Sequence, residues 1–189
     1  MNRRHSPLTD SGLTHIAVEP RFTILDIGCG GGRTLAKLAA SATQGKIFGI
    51  DYSPDSVAMS VKTNARAVAA GQVQIQQGSV SALPWADNTF DLVTAIETHF
   101  FWPDLPGDMR QALRVLRPAG AFLLVAEIYK GATTTAVRLI EKRGARSGMT
   151  LLTPDEHRQL LIDAGFANVQ VFTDPAKAWI CCTAAKPEP

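Results

Sequence analysis

Short apolar runs alternate with longer mixed runs along most of the chain. Residues 23–27, 46–50, 73–77, 91–96 and 121–127 are brief and rich in apolar or β-branched positions, and read as strands. Between them lie stretches with helical spacing. Residues 32–42 form one. Ser53-Pro54-Asp55 opens a second, with a hydroxyl cap and proline in the first turn, running to about residue 70 and stopped by Gly71. Residues 104–116 form a third, ended by Arg117-Pro118 and Gly120. Thr153-Pro154-Asp155-Glu156 opens a fourth, ending at Ala164-Gly165. Residues 169–172 and 178–184 read as a closing antiparallel pair, and 130–148 as a mixed, basic stretch with a short helix.

Strands alternating with helices through short loops imply an α/β fold with a mostly parallel sheet covered on both faces. No internal repeat is evident, and 189 residues suit one domain spanning 1–189. Residues 1–20 are polar apart from a short amphipathic piece around Leu13 and Ile16. They read as an N-terminal arm that closes as a lid, mobile until ligand binds. Residues 129–152 read as an insert on the substrate side.

Hydrophobic residues make up 46% of the chain, enough for a core, and no apolar run approaches the ~20 residues of a spanning helix. The start, MNRRHSPLTDSG, is basic but lacks the apolar segment of a secretory signal. A net charge of +2 gives no electrostatic case for nucleic acid. Cys29, Cys181 and Cys182 have no metal-site spacing, and the adjacent pair in a strand faces opposite ways. The expectation is a cytoplasmic protein with no membrane partner.

The chemistry concentrates in FTILDIGCGGGRT, residues 22–34: strand, glycine loop, helix. Glycines let backbone approach a ligand and adopt positive φ, and the helix start offers free N–H groups. A dinucleotide fingerprint would have glycine where Arg33 stands, and would not carry Asp26 two residues before the first glycine. A second acid, Asp51, ends the next strand, where a carboxylate can accept from two ribose hydroxyls.

LDIGCGGG, then GIDYS, FDLVTAIETHFFW and LRVLRPAGAFLLVAE, together resemble the class I S-adenosylmethionine-dependent methyltransferases, and among them the small-molecule type 11 group. The resemblance runs from about Thr14 to the last strand and implies a doubly wound, Rossmann-like sheet of seven strands whose last strand is antiparallel. It implies S-adenosylmethionine as cofactor and a small-molecule methyl acceptor. Gly28 and Gly30 would make room for the donor's tail and ribose. Asp26 would orient the loop or meet the tail's ammonium through water, and Cys29 would pack within that loop. Asp51 would bind the ribose hydroxyls, or only cap the following helix. Tyr52 would lie on the adenine, or in the core. The family usually has Gly-Asp after strand three. Here Gly78-Ser79-Val80 leaves Ser79 as a neutral acceptor, or a plain turn residue, and Val80 as a backbone donor.

The reaction centre is expected after strand four, at Glu97-Thr98-His99-Phe100-Phe101-Trp102. His99 is the candidate general base by its titration range, with a packing role as its alternative. Glu97 would bond near the cofactor, or cap the loop. Phe100, Phe101 and Trp102 would be core or wall of the substrate pocket, and Glu127 and Tyr129, which end strand five on the same edge, would face substrate there. The Asp/Asn-Pro-Pro-Tyr/Phe block of amino-methylating nucleic-acid enzymes is missing. Asp104 and Asp108 suit a helix start better than magnesium, so no metal is expected. Lys142, Arg143 and Arg146 form a small basic group. A nicotinamide-dependent oxidoreductase and a non-catalytic S-adenosylmethionine-binding module are the two other readings.

Overall fold

The computed structural model describes residues 6–143 and 148–188. Its elements are α1 (Ser6–Leu13), β1 (Thr23–Ile27), α2 (Arg33–Ser41), β2 (Lys46–Asp51), α3 (Pro54–Thr63), α4 (Ala65–Ala69), β3 (Val73–Gln77), β4 (Phe90–Ile96), α5 (Leu105–Val115), β5 (Leu116–Ala126), α6 (Thr135–Arg143), α7 (Pro154–Asp163), β6 (Ala167–Asp174) and β7 (Trp179–Ala185). The strands form one seven-stranded sheet in the order β3-β2-β1-β4-β5-β7-β6. β1 to β5 pair in parallel. β7 runs antiparallel to both β5 and β6, as the sequence pattern leads one to expect.

Strand alternation divides the core between the two faces of this sheet. Leu25 and Ile27 of β1 and Phe122, Leu124 and Ala126 of β5 join one cluster with Phe90 and Met109. Ile24, Leu123 and Val125 join the other with Leu35, Leu38 and Leu8. Cys181 and Cys182 fall on opposite faces. β1 and β4 are covered on both sides, so their runs are almost wholly buried rather than alternating.

Three elements differ from the sequence pattern. The helix expected from 53 to 70 is two helices. It begins as expected, with Ser56 N–H donating to Ser53 Oγ at 3.3 Å, and breaks at Asn64. The buried Asn64 side chain donates to the carbonyls of Gly32 and Ser60, both at 2.9 Å. β5 follows α5 with no gap and starts at Leu116, ahead of Pro118. The third is the N-terminal arm, whose residues 6–13 are a helix seated on the sheet. Leu8 is only 2% exposed, and a Cβ on Gly12 would lie 2.4 Å from a Val125 methyl. His15 stacks on Phe172, with ring centroids 4.1 Å apart. Arm residues 1–5, and Arg146 of the basic group, lie outside the described residues.

Candidate active site

The C-terminal ends of the parallel strands carry the site, as open α/β sheets require. β1 ends at Ile27, and its neighbour β2 ends at Asp51. The N–H groups of Gly28 and Cys29 both donate to the Ile50 carbonyl, at 2.8 and 3.1 Å, which folds the loop back over β2. Gly28, Gly30 and Gly32 have φ of +72°, +51° and +78°. At Gly28 a Cβ would stand 2.1 Å from Thr98 Oγ1, so the loop passes where only glycine fits.

Asp51 ties the loop to the next helix. Its Oδ2 accepts from Gly30 N–H at 2.8 Å and its Oδ1 from Ser53 N–H at 2.9 Å. Each carboxylate oxygen keeps a further lone pair for a ligand hydroxyl. Asp26 lies beneath, 2% exposed, with the Thr94 hydroxyl donating to Oδ1 at 2.6 Å. Burial pushes its carboxyl up to about 7, the Thr94 bond opposes that, and the Asp51 charge adds to it. Cys29 is buried beside Ser60. Burial, the Asp26 charge and the Asp51 charge together raise its thiol well above its ordinary range, so it is an inert packing group.

A cleft of about 1070 Å³ opens over this edge. One end is the glycine loop with Arg33, Thr34 and Lys37 of α2 and Asp55, Ser56 and Met59 of α3. The other is Ile96, Glu97, Phe100 and Phe101 after β4, Glu127 and Ile128 after β5, and Ile140 and Met149. Ser6 and Thr9 of α1 close one side. The Lys37 ammonium holds α1 in place by pairing with Asp10 and donating to the Ser6 carbonyl. Glu97 has φ of +59°, unusual for a side-chain-bearing residue, and its Oε1 accepts from Glu127 N–H.

Gly28, Cys29, Gly30, Glu97, Phe100 and Phe101 therefore share one cleft. Tyr52 is 81% exposed beside Asp51, which removes the core reading of that side chain. Ser79 Oγ accepts from Ser81 N–H at 3.2 Å and so makes a turn, with Val80 buried behind it. Trp102 and Tyr129 belong to the core cluster and do not line the cleft. Trp102 Nε1 donates to Thr98 Oγ1 at 3.3 Å.

His99 has surroundings unlike those of an exposed base. It is 1% exposed and absent from the cleft wall. Its Nε2 lies 3.0 Å from His157 Nε2, and His157 Nδ1 lies 2.8 Å from the Thr153 carbonyl. That carbonyl fixes the proton on His157 Nδ1, so His99 Nε2 carries the proton between the rings. His99 Nδ1 is buried without a partner. Burial, then the neighbouring His157, hold the His99 ring well below its ordinary pKa. The residues flanking His99, Thr98 and Phe100, suit a pocket base and a core histidine alike. His157, 58 residues on, decides between them.

Residues 25–124 match the methyltransferase domain family. The chain belongs to that family. An O-methyltransferase, cnsE of Penicillium expansum, is 30% identical over 148 residues, which is 78% of this chain and 53% of the relative. The demethylmenaquinone methyltransferase of Bacillus mycoides (strain KBAB4) is 31% identical over 119 residues, 62% of this chain and 50% of the relative. The chain thus spans about half the length of the curated relatives it matches. A chain from the complex between the Haloferax volcanii Trm112 methyltransferase activator and a methyltransferase superposes with a TM-score of 0.84 at 21% identity. The match covers 100% of this chain and 92% of that one, and speaks for the fold alone. Family and sheet order together set the nicotinamide reading aside.

This methyltransferase domain has a loop suited to S-adenosylmethionine, the family's methyl donor. The Gly28 cradle, which a Cβ would fill, and the Asp51 carboxylate against Gly30 offer close backbone approach and a hydroxyl acceptor. Among the described residues no helix is long and apolar enough to cross a membrane.

Proposed function

We propose that this chain transfers a methyl group from S-adenosylmethionine to a small-molecule acceptor by in-line displacement. The observation that supports it most is the single cleft joining the glycine loop to an apolar wall at the ends of β4 and β5. The donor supplies an electrophilic methyl on a sulfonium. Gly28 and Gly30 would admit its tail and ribose, Asp51 would accept from the ribose hydroxyls, and Tyr52 and Ser79 would meet the adenine. Phe100 and Phe101 would exclude water and position the acceptor, which is most of what such a displacement asks of a protein.

Relatives named as an O-methyltransferase and a demethylmenaquinone methyltransferase support a small-molecule acceptor. The net charge of +2 supports a partner other than nucleic acid. Three free, buried cysteines support a reducing compartment such as the cytoplasm.

Thermal unfolding with S-adenosylmethionine and with S-adenosylhomocysteine tests the binding half. Both should raise Tm, and Asp51→Ala should remove most of that rise while the protein stays folded. Transfer of isotopic label from the donor methyl to metabolite extracts tests the catalytic half. Binding without any transfer would make the domain a non-catalytic donor-binding module.

A further inference from the structure

Phe100 lines the cleft, and His99, the residue before it, is buried behind. Both sit in one tight turn, His99–Phe101, and their rings meet edge to face, centroids 5.2 Å apart at 65°. Two hydrogen bonds reach this turn from beyond β5. Thr150 N–H donates to the Phe100 carbonyl at 2.8 Å, and the His99 ring bonds His157 of α7. We infer that His157 is a positioning residue for methyl transfer, which holds Phe100 in the cleft wall through His99 and lets go in acid. This rests on the methyl-transfer reading above.

The ring pair has one working protonation state. Its Nε2 atoms are 3.0 Å apart, which leaves room for a single hydrogen between them. With His157 Nδ1–H on the Thr153 carbonyl, that hydrogen is His99's and His157 Nε2 is the acceptor. A further proton has two places to go. On His99 Nδ1 it would create a charge at a buried nitrogen with no partner. On His157 Nε2 it would set two N–H groups head to head and break the bond. The Thr153 carbonyl and the Glu156 charge favour the cation on His157 and do not act on His99, so His157 takes the proton. Burial delays this until below the ordinary imidazole range.

The other charged groups nearby are engaged or turned away. Glu156 pairs with Lys130, and Glu97, two residues before His99, lines the cleft. α7 packs on α5, β6 and β7. There Asp108 Oδ2 accepts from Asp104 N–H, Arg114 pairs with Asp87, Arg110 is exposed, Asp174 pairs with Lys177, and burial keeps Cys182 a neutral thiol. Once the rings part, the turn loses its tie to α7 and Phe100 its fixed place. An in-line displacement is sensitive to that, because an ångström of misplacement costs on the order of a hundred-fold.

The test uses the full chain, saturating labelled S-adenosylmethionine and a metabolite extract as acceptor source. Label transfer by the unmodified protein should fall as pH drops through the imidazole range. His157→Gln puts an amide oxygen where His157 Nε2 stood, so it accepts from His99 and cannot take the proton. At pH 7.5 it should transfer label within about three-fold of the unmodified rate, since the hydrogen bond is kept, and its fall in acid should lie at lower pH. Asp26 titrates in both proteins, so the difference between the two profiles belongs to His157. His157→Leu has no acceptor and should lose on the order of a hundred-fold in rate while S-adenosylhomocysteine affinity stays within about three-fold. If His157→Leu does not fold, the glutamine profile decides. Hydrogen exchange reads the same tie without an acceptor. Relative to free-peptide rates, the Thr150 amide should lose protection in acid in the unmodified protein and keep it in His157→Gln, with β5 amides protected in both. The same acid fall in both proteins overturns the proposal. So does His157→Leu at full rate, or Thr150 and β5 amides losing protection together. Transfer absent at every pH, with the Thr150 contrast intact, means that the methyl-transfer reading has failed and the tie stands.

Discussion

The Asn64 side chain donates to the Gly32 carbonyl at 2.9 Å, across 32 residues of sequence. The contact links the break between α3 and α4 to the start of α2. It also explains the glycine, because a Cβ on Gly32 would stand 2.4 Å from Asn64 Nδ2 and from Ser60 Oγ. Asn64→Ala removes two buried hydrogen bonds, although the Gly32 carbonyl keeps Ala36 N–H and the Ser60 carbonyl keeps the backbone N–H of residue 64, and should cost about 1–3 kcal/mol by denaturant unfolding. Because Gly32 closes the donor loop, affinity for S-adenosylhomocysteine should fall with it in calorimetry. Unchanged stability and affinity would show that the loop holds its shape without this tie.

Ser79 stands where the family resemblance places an acid. Its Oγ already accepts from Ser81 N–H at 3.2 Å, a role that aspartate fills equally well. Ser79→Asp should therefore fold normally and offer a charge-assisted acceptor to the adenine amino group. Affinity for S-adenosylmethionine should rise by a factor of a few, on the scale of ~1 kcal/mol. A loss of affinity at unchanged stability would put the adenine elsewhere.

Much of this layout was legible in the sequence because it is local. Strand runs such as residues 23–27, glycines in the loop and the Ser53 and Thr153 caps need only near neighbours, and all are where the pattern puts them. The rest depends on contacts that composition does not reveal. Asn64 looked like one more residue in a long helix, and its partner is Gly32. Trp102 and Tyr129 looked like pocket wall by their place after β4 and β5. Their burial is decided by which way the chain turns after each strand. Lys37, Thr34 and Met59 carried no motif, and they reach the cleft only because α2 and α3 start beside the same loop.

The N-terminal arm, expected as a mobile lid, has a helix with core contacts. Leu8 is buried, Gly12 packs on Val125, and Lys37 pairs with Asp10. Leu8→Ala should cost about 2–5 kcal/mol, the range for a buried leucine. Deleting residues 1–16 should lower Tm rather than leave the fold intact. Hydrogen exchange at residues 10–13 should be slow before any donor is added. Fast exchange that slows only with donor would restore the lid reading.

The buried histidine pair should make the protein acid-sensitive in a defined direction. His99 is held below its ordinary pKa by burial and then by His157. His157 is lowered by burial, against the Thr153 carbonyl bond and the Glu156 charge, which itself pairs with Lys130. The unfolded chain protonates both rings near their ordinary 6.5, and the folded chain does not. Below that pH the unfolded state holds more protons, so stability falls with acid, by up to about 1.4 kcal/mol per pH unit for each histidine. Asp26 acts the other way. Its folded carboxyl binds a proton at about 7 and its unfolded one at 3.8, so between those values acid stabilises by one proton. From pH 6 to 5 the His99 and Asp26 contributions come close to cancelling, and His157, shifted the same way as His99, tips the balance toward a loss in acid. Replacing both rings, His99→Leu with His157→Leu, should leave only the Asp26 contribution and reverse the slope, whatever the variant's absolute stability. Urea unfolding between pH 5 and 7 measures both slopes. Equal slopes in the two proteins would mean that the pair titrates in the folded chain as freely as in the unfolded one.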